Sequence, residues 1–122
     1  MSSKPDHDIP QPELHDYLVL FEAEPKVLNA KNGWCYGTEF RSARGSDSIV
    51  ATVAPCNYEF SFEWLRDGQI QANLRLQGVV HWIIETKDGA ERLVLKFNQS
   101  GVDVFILQLR PHISLQWATT WG

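Results

Sequence analysis

At 122 residues, 43% hydrophobic and 21% charged, the chain has the length and composition of one globular domain. Its net charge of −4 gives no electrostatic drive toward nucleic acid or anionic lipid. No stretch approaches the roughly 20 apolar residues of a membrane-spanning helix, so nucleic acid and membrane are excluded as expected partners.

Residues 1–13 are polar and carry Pro5, Pro10 and Pro12, each of which interrupts regular structure. They read as a disordered tail ahead of a single β domain at residues 14–122. They also lack the basic start and apolar run of a secretory signal. The expected location is the cytoplasm, where Cys35 and Cys56 are read as buried free thiols.

Residues 17–23 (YLVLFEA) form a short apolar run suited to a buried strand. Residues 24–32 offer at most one short helix, with Pro25 at its first position. Residues 34–41 alternate, with Trp34, Tyr36, Thr38 and Phe40 on one face. Residues 49–54 are β-branched and strand-like, and Pro55 ends them.

Tyr58, Phe60, Phe62 and Trp64 then alternate with Glu59, Ser61, Glu63 and Leu65, the period of a half-buried strand. A three-residue loop at Arg66-Asp67-Gly68 sets Trp64 opposite Ile70, Phe62 opposite Ala72 and Phe60 opposite Leu74. A two-residue loop would instead put each aromatic against a polar group, because a one-residue slip swaps faces, so the longer loop is expected. Even-numbered positions from Ile70 to Ile84 stay on one side through Gly78. Residues 69–86 are therefore predicted to be one long strand bent at that glycine. A two-residue Asp88-Gly89 turn pairs Trp82 with Leu95, Ile84 with Leu93 and Val80 with Phe97 inside, and Glu85 with Arg92 outside. A turn over residues 98–101 sets Leu95 opposite Val104. A last turn at Arg110-Pro111 sets Ile106 opposite Leu115 and Val104 opposite Trp117.

The expected fold is all-β, an antiparallel meander of about 7–8 strands closed as a barrel or a two-sheet sandwich. The bend at Gly78 favours the barrel.

On this register Ile83, Val94 and Phe105 line up across three strands of the outer face, with Leu107 and Leu109 beside them. A strand facing water does not ordinarily carry such a band. Either Leu14, Leu18, Leu20, Val27 and Leu28 fold over it, or it contacts another protein or a second copy of the chain. In the second case Glu85, Arg92, Lys96 and Asp103 form its rim. Phe60, Trp64, Trp82 and Trp117 share the inward parity and would line a ligand pocket in an unfilled barrel. His81 and His112 belong to no His-x-His or His-Glu-x-x-His spacing, and the cysteines form no Cys-x-x-Cys, so neither metal nor cofactor is expected.

The reading these features support is a non-enzymatic protein-binding module, such as a small acidic inhibitor or neutralising partner. A β-barrel for small hydrophobic ligands is the alternative. An enzyme built on His81, His112 or a cysteine is the third.

Overall fold

The computed structural model describes residues 11–98 and 104–118. Among them, two antiparallel sheets share one core. The first has the order β1-β2-β3-β4-β5, with β1 Pro25–Val27, β2 Thr38–Arg44, β3 Asp47–Ala54, β4 Glu59–Arg66 and β5 Gln69–Gln77. The second runs β6-β7-β8-β9, with β6 Val79–Lys87, β7 Ala90–Phe97, β8 Val104–Arg110 and β9 Ser114–Ala118. The all-β expectation holds in its sandwich form, while the barrel does not: the sheets are not closed on each other. The reason lies at Gly78, whose φ of +80° interrupts the ladder, so that β5 and β6 belong to different sheets.

The sheets meet through Phe40, Ala51, Val53, Phe60 and Phe62 on one side and Trp82, Leu93, Leu95, Phe105 and Leu107 on the other, all buried. Phe60 is central to this contact, with ring centroids 6.2 Å from Trp82 and 6.5 Å from Phe105. The first pair is edge-on and the second tilted, and the edge-on arrangement is one that aromatic quadrupoles favour.

The run at residues 17–23 is a helix rather than the expected strand. Helix α1 spans Leu14–Phe21, and the short helix expected near residues 24–32 is replaced by β1 and a loop. Local chemistry explains the start: Glu13 and Asp16 form a capping box, each side chain accepting from the other's backbone N–H. The buried residues Tyr17, Leu20 and Phe21 recur at helical spacing, and Phe21 stacks on Phe40 at 5.2 Å. The tail expected over residues 1–13 lies almost wholly outside the described residues.

Cys35 and Cys56 are not free thiols. They are joined in a disulfide with their Cα atoms 5.2 Å apart. Each sits in a short 3-10 turn, Trp34–Tyr36 and Pro55–Asn57, at the entry to β2 and the exit from β3. Because β2 and β3 are antiparallel neighbours pairing Thr38 with Val53, the two turns necessarily meet.

Both Asp-Gly hairpins have positive φ at both turn residues: +52° and +80° at Asp67 and Gly68, +55° and +79° at Asp88 and Gly89. This is the I′ geometry whose twist matches the flanking strands. The second hairpin confirms the expected pairs Trp82–Leu95, Ile84–Leu93 and Glu85–Arg92. Val79, not Val80, opposes Phe97, because the register shifts between Val79 and His81. In the first hairpin the turn is two residues, not three, and a bulge between Trp64 and Leu65 restores the faces. Trp64 consequently opposes Ala72 and Phe62 opposes Leu74, two positions from expectation, and Ile70 is 62% exposed rather than inside.

The β7–β8 register is one residue away from expectation: Leu95 opposes Phe105 and Lys96 opposes Val104. Strand β8 therefore presents Phe105, Leu107 and Leu109 to the core and Val104 and Ile106 outward. Both faces of β8 are apolar, so alternation alone does not decide between them. The larger set wins, since burying each Phe or Leu is worth about 1.5–3 kcal/mol.

Candidate functional site

The outer face of the four-stranded sheet consists of three cross-strand rows. Ile83, Val94, Ile106 and Gln116 are successive partners across β6 to β9 and form the central row. Glu85, Arg92, Gln108 and Ser114 flank it on one side, and His81, Lys96, Val104 and Ala118 on the other. Ile83 and Ile106 are half-buried, while Val94 between them is 7% exposed.

The apolar band is therefore present, with a different membership. Ile83 and Val94 stand where the sequence placed them, and Ile106 takes the place expected for Phe105. Phe105, Leu107 and Leu109 are core residues, the first two wholly buried and Leu109 only 1% exposed. Of the expected rim, Glu85 and Arg92 approach to 4.0 Å, and Lys96 is exposed beside His81. Asp103 lies outside the described residues. Arg92 Nε donates to Gln108 Oε1 at 3.2 Å, and Gln108 Nε2 donates to the carbonyl of His112 at 3.2 Å. These bonds fix the polar row on one flank of the isoleucines.

The expected cover does not lie over this band. Leu20 is buried in the inter-sheet core, Leu14 and Leu18 pack against it, and Val27 and Leu28 are exposed at 36% and 52%. Helix α1 reaches the band only at its edge, where a cleft of about 610 Å³ opens between His15, Val19, Ile83, Ile84, Thr86 and Glu91. Val19 is 51% exposed there. The cleft was not legible in the sequence, because residues 17–23 read as a strand and so hid the exposed helical position of Val19.

The four aromatics expected to line a pocket are placed apart in role. Phe60 and Trp82 fill the core against each other. The Trp64 indole N–H donates to Asp47 Oδ1 at 3.0 Å, with the Arg66 guanidinium 5.3 Å above the ring. Trp117 is 48% exposed and packs on Phe105 at 4.7 Å. The hydrogen bonds from Arg66 and Trp64 hold the Asp47 carboxyl below its ordinary range. Both cysteines are consumed in the disulfide, which removes the thiolate that a Cys–His nucleophile requires. Among the described residues no cluster of His, Cys, Asp and Glu is arranged to hold a metal. No helix among them is long and apolar enough to cross a membrane.

No family model matches the chain, and no curated protein matches its sequence. A solved structure does match in three dimensions. It is a chain of a contact-dependent growth inhibition toxin–immunity protein complex from Klebsiella pneumoniae 342, with a TM-score of 0.74 over 88% of this chain and 94% of that one. The likeness is one of fold. Sequence identity is 13%, too low to carry more than that.

Proposed function

We propose that this chain is a neutralising partner protein of the immunity type, which binds another protein through the outer face of its four-stranded sheet. The observation that carries the reading is the Ile83–Val94–Ile106 row, an apolar strip bordered on one side by the polar row Glu85, Arg92, Gln108 and Ser114, on the other by the mixed row His81, Lys96, Val104 and Ala118, and open at the α1 cleft. Interfaces are built this way, with an apolar centre and a polar rim.

Three further observations support it. The fold resembles that of a chain from a toxin–immunity complex along nearly its whole length. The net charge of −4 favours association with a basic partner and speeds encounter with it. The bonded state of Cys35 and Cys56 supports binding over thiol chemistry.

The test is co-expression with toxin domains of growth-inhibition systems, scoring colony survival, followed by size-exclusion chromatography with light scattering. Survival together with a complex of one copy of each chain is the expected result. Survival without a complex, or no protection against any toxin domain, overturns the proposal. A second copy of the chain is the competing occupant, and a stable dimer in the absence of any partner assigns the face to self-association instead.

A further inference from the structure

Tyr58 is held where the backbone disfavours a tyrosine. It follows the second 3-10 turn at φ +57° and ψ +37°, the left-handed region suited to asparagine or glycine. The backbone fixes it there: its N–H donates to the Pro55 carbonyl and its own carbonyl accepts from Val79 N–H, both at 3.1 Å. The side chain offers the fold little for this strain, being 58% exposed. A bulky ring kept at a strained, unburied position points to a role outside folding.

Its surroundings specify the chemistry. Tyr58 lines a shallow depression of about 470 Å³ together with Asn57, Glu59, Gln77, Gly78 and Asn98. Asn57 Nδ2 donates to the Tyr36 carbonyl at 3.2 Å, and Gln77 Nε2 donates to Glu59 Oε2 at 3.2 Å, so one donor of each carboxamide sets its plane. Arg75 Nε lies 2.8 Å from Glu59 Oε2 and balances that charge. The disulfide through Cys56 braces the turn that carries Asn57, so the wall is organised in advance of any ligand.

An exposed aromatic residue among planar amides, with the one carboxylate of the depression already paired, suits a neutral ligand better than an ion. Such a ligand needs one apolar face for the ring and several hydroxyls for the amides. We infer that this depression binds carbohydrate, a neutral sugar ring stacking on Tyr58 with its hydroxyls bonded to Asn57, Gln77 and Asn98. The site is separate from the outer sheet face, and neither assignment depends on the other.

The test is a heteronuclear NMR titration of the full chain with glucose, cellobiose, maltose and N-acetylglucosamine oligomers, alongside the Tyr58→Asn variant. Asparagine tolerates the left-handed conformation, so the variant is expected to fold with an equal or higher Tm. At least one sugar should shift resonances of residues 57–59, 77 and 98 at millimolar concentration, and Tyr58→Asn should weaken this by about tenfold or more. Absence of shifts with every sugar overturns the inference. So does binding that survives Tyr58→Asn, or a lowered Tm in that variant, which would make the ring a structural element. A depression that responds to a purified protein partner but to no sugar assigns it to protein recognition and likewise overturns it.

Discussion

Arg110 Nη2 lies 3.3 Å from the carbonyl oxygen of Leu20, a bond between the end of β8 and the last turn of α1. The same nitrogen reaches the Val19 carbonyl at 3.3 Å, and the guanidinium pairs with Glu22 and Glu91. Helix C-termini leave carbonyls unsatisfied and favour cations, so one residue answers both needs and anchors the helix to the second sheet. Arg110→Met is expected to destabilise the fold by about 2 kcal/mol, given charge-assisted bonds lost from a largely shielded site. Urea denaturation measures this, and a loss below about 0.5 kcal/mol would show that α1 docks without it.

Tyr17 carries the opposite kind of relationship. Its ring packs 5.9 Å from Trp34 and 6.5 Å from Phe40, yet its hydroxyl is buried without a hydrogen-bond partner among the described residues. Burial, with a smaller contribution from Asp16, pushes the phenol well above its ordinary value of 10.0. Removing an unsatisfied buried hydroxyl while keeping the ring relieves a desolvation cost. Tyr17→Phe is therefore expected to raise stability by about 1 kcal/mol, read as an increase in Tm. A decrease would mean that the hydroxyl is bonded in solution.

The disulfide closes a loop of sequence separation 21 between the two 3-10 turns. On the chain-entropy account a loop of this size contributes about 3 kcal/mol by restricting the unfolded chain. Thermal unfolding with and without reductant, and of Cys35→Ser/Cys56→Ser, checks this. Comparable Tm values in all three would show that the β2–β3 ladder alone holds the turns together.

Two carboxylates set the acid limb of stability. Hydrogen bonds from Arg66 and Trp64 lower the Asp47 carboxyl below 3.8, and those from Arg75 and Gln77 lower Glu59 below 4.5. A depressed folded value means the folded state holds its proton less tightly than the unfolded chain. The contribution is complete above the ordinary carboxylate range and is lost as pH falls through the lower folded values. Stability should thus decline below about pH 4, modestly, because both ion pairs lie at the surface, where solvent screens them. Asp47→Asn combined with Glu59→Gln should flatten that decline, as followed by urea midpoints across the acid range. An unchanged slope would place the acid sensitivity elsewhere.

What was legible in the sequence follows how strongly one face was favoured over the other. At Asp88-Gly89 the turn chemistry and the contrast between Trp82, Ile84 and Glu85 agree, and the pairs from Trp82–Leu95 to Glu85–Arg92 were read correctly. Strand β8 offered no such contrast, since Val104 and Ile106 are nearly as apolar as Phe105 and Leu107. The loop that would have set its register lies largely outside the described residues. The bulge at Trp64/Leu65 was hidden for a similar reason, because a three-residue turn and a two-residue turn plus bulge keep the same faces. Helix α1 had a visible signal, Glu13 and Asp16 followed by Tyr17, Leu20 and Phe21 at helical spacing, which the compact run LVLF masked. No sequence rule brings cysteines 21 positions apart together. Their meeting depends on the β2–β3 pairing.

The outer-face claim is tested most directly by titration calorimetry of a toxin domain that the chain neutralises against Ile106→Glu, with Tyr58→Asn as a control outside the three rows of the face. A charge at the centre of the row should leave the fold intact, since Ile106 is only half-buried, and should weaken binding by about thirtyfold or more, the scale of a hot-spot residue. A folded Ile106→Glu protein that binds with unchanged affinity would contradict the assignment of this face to the partner.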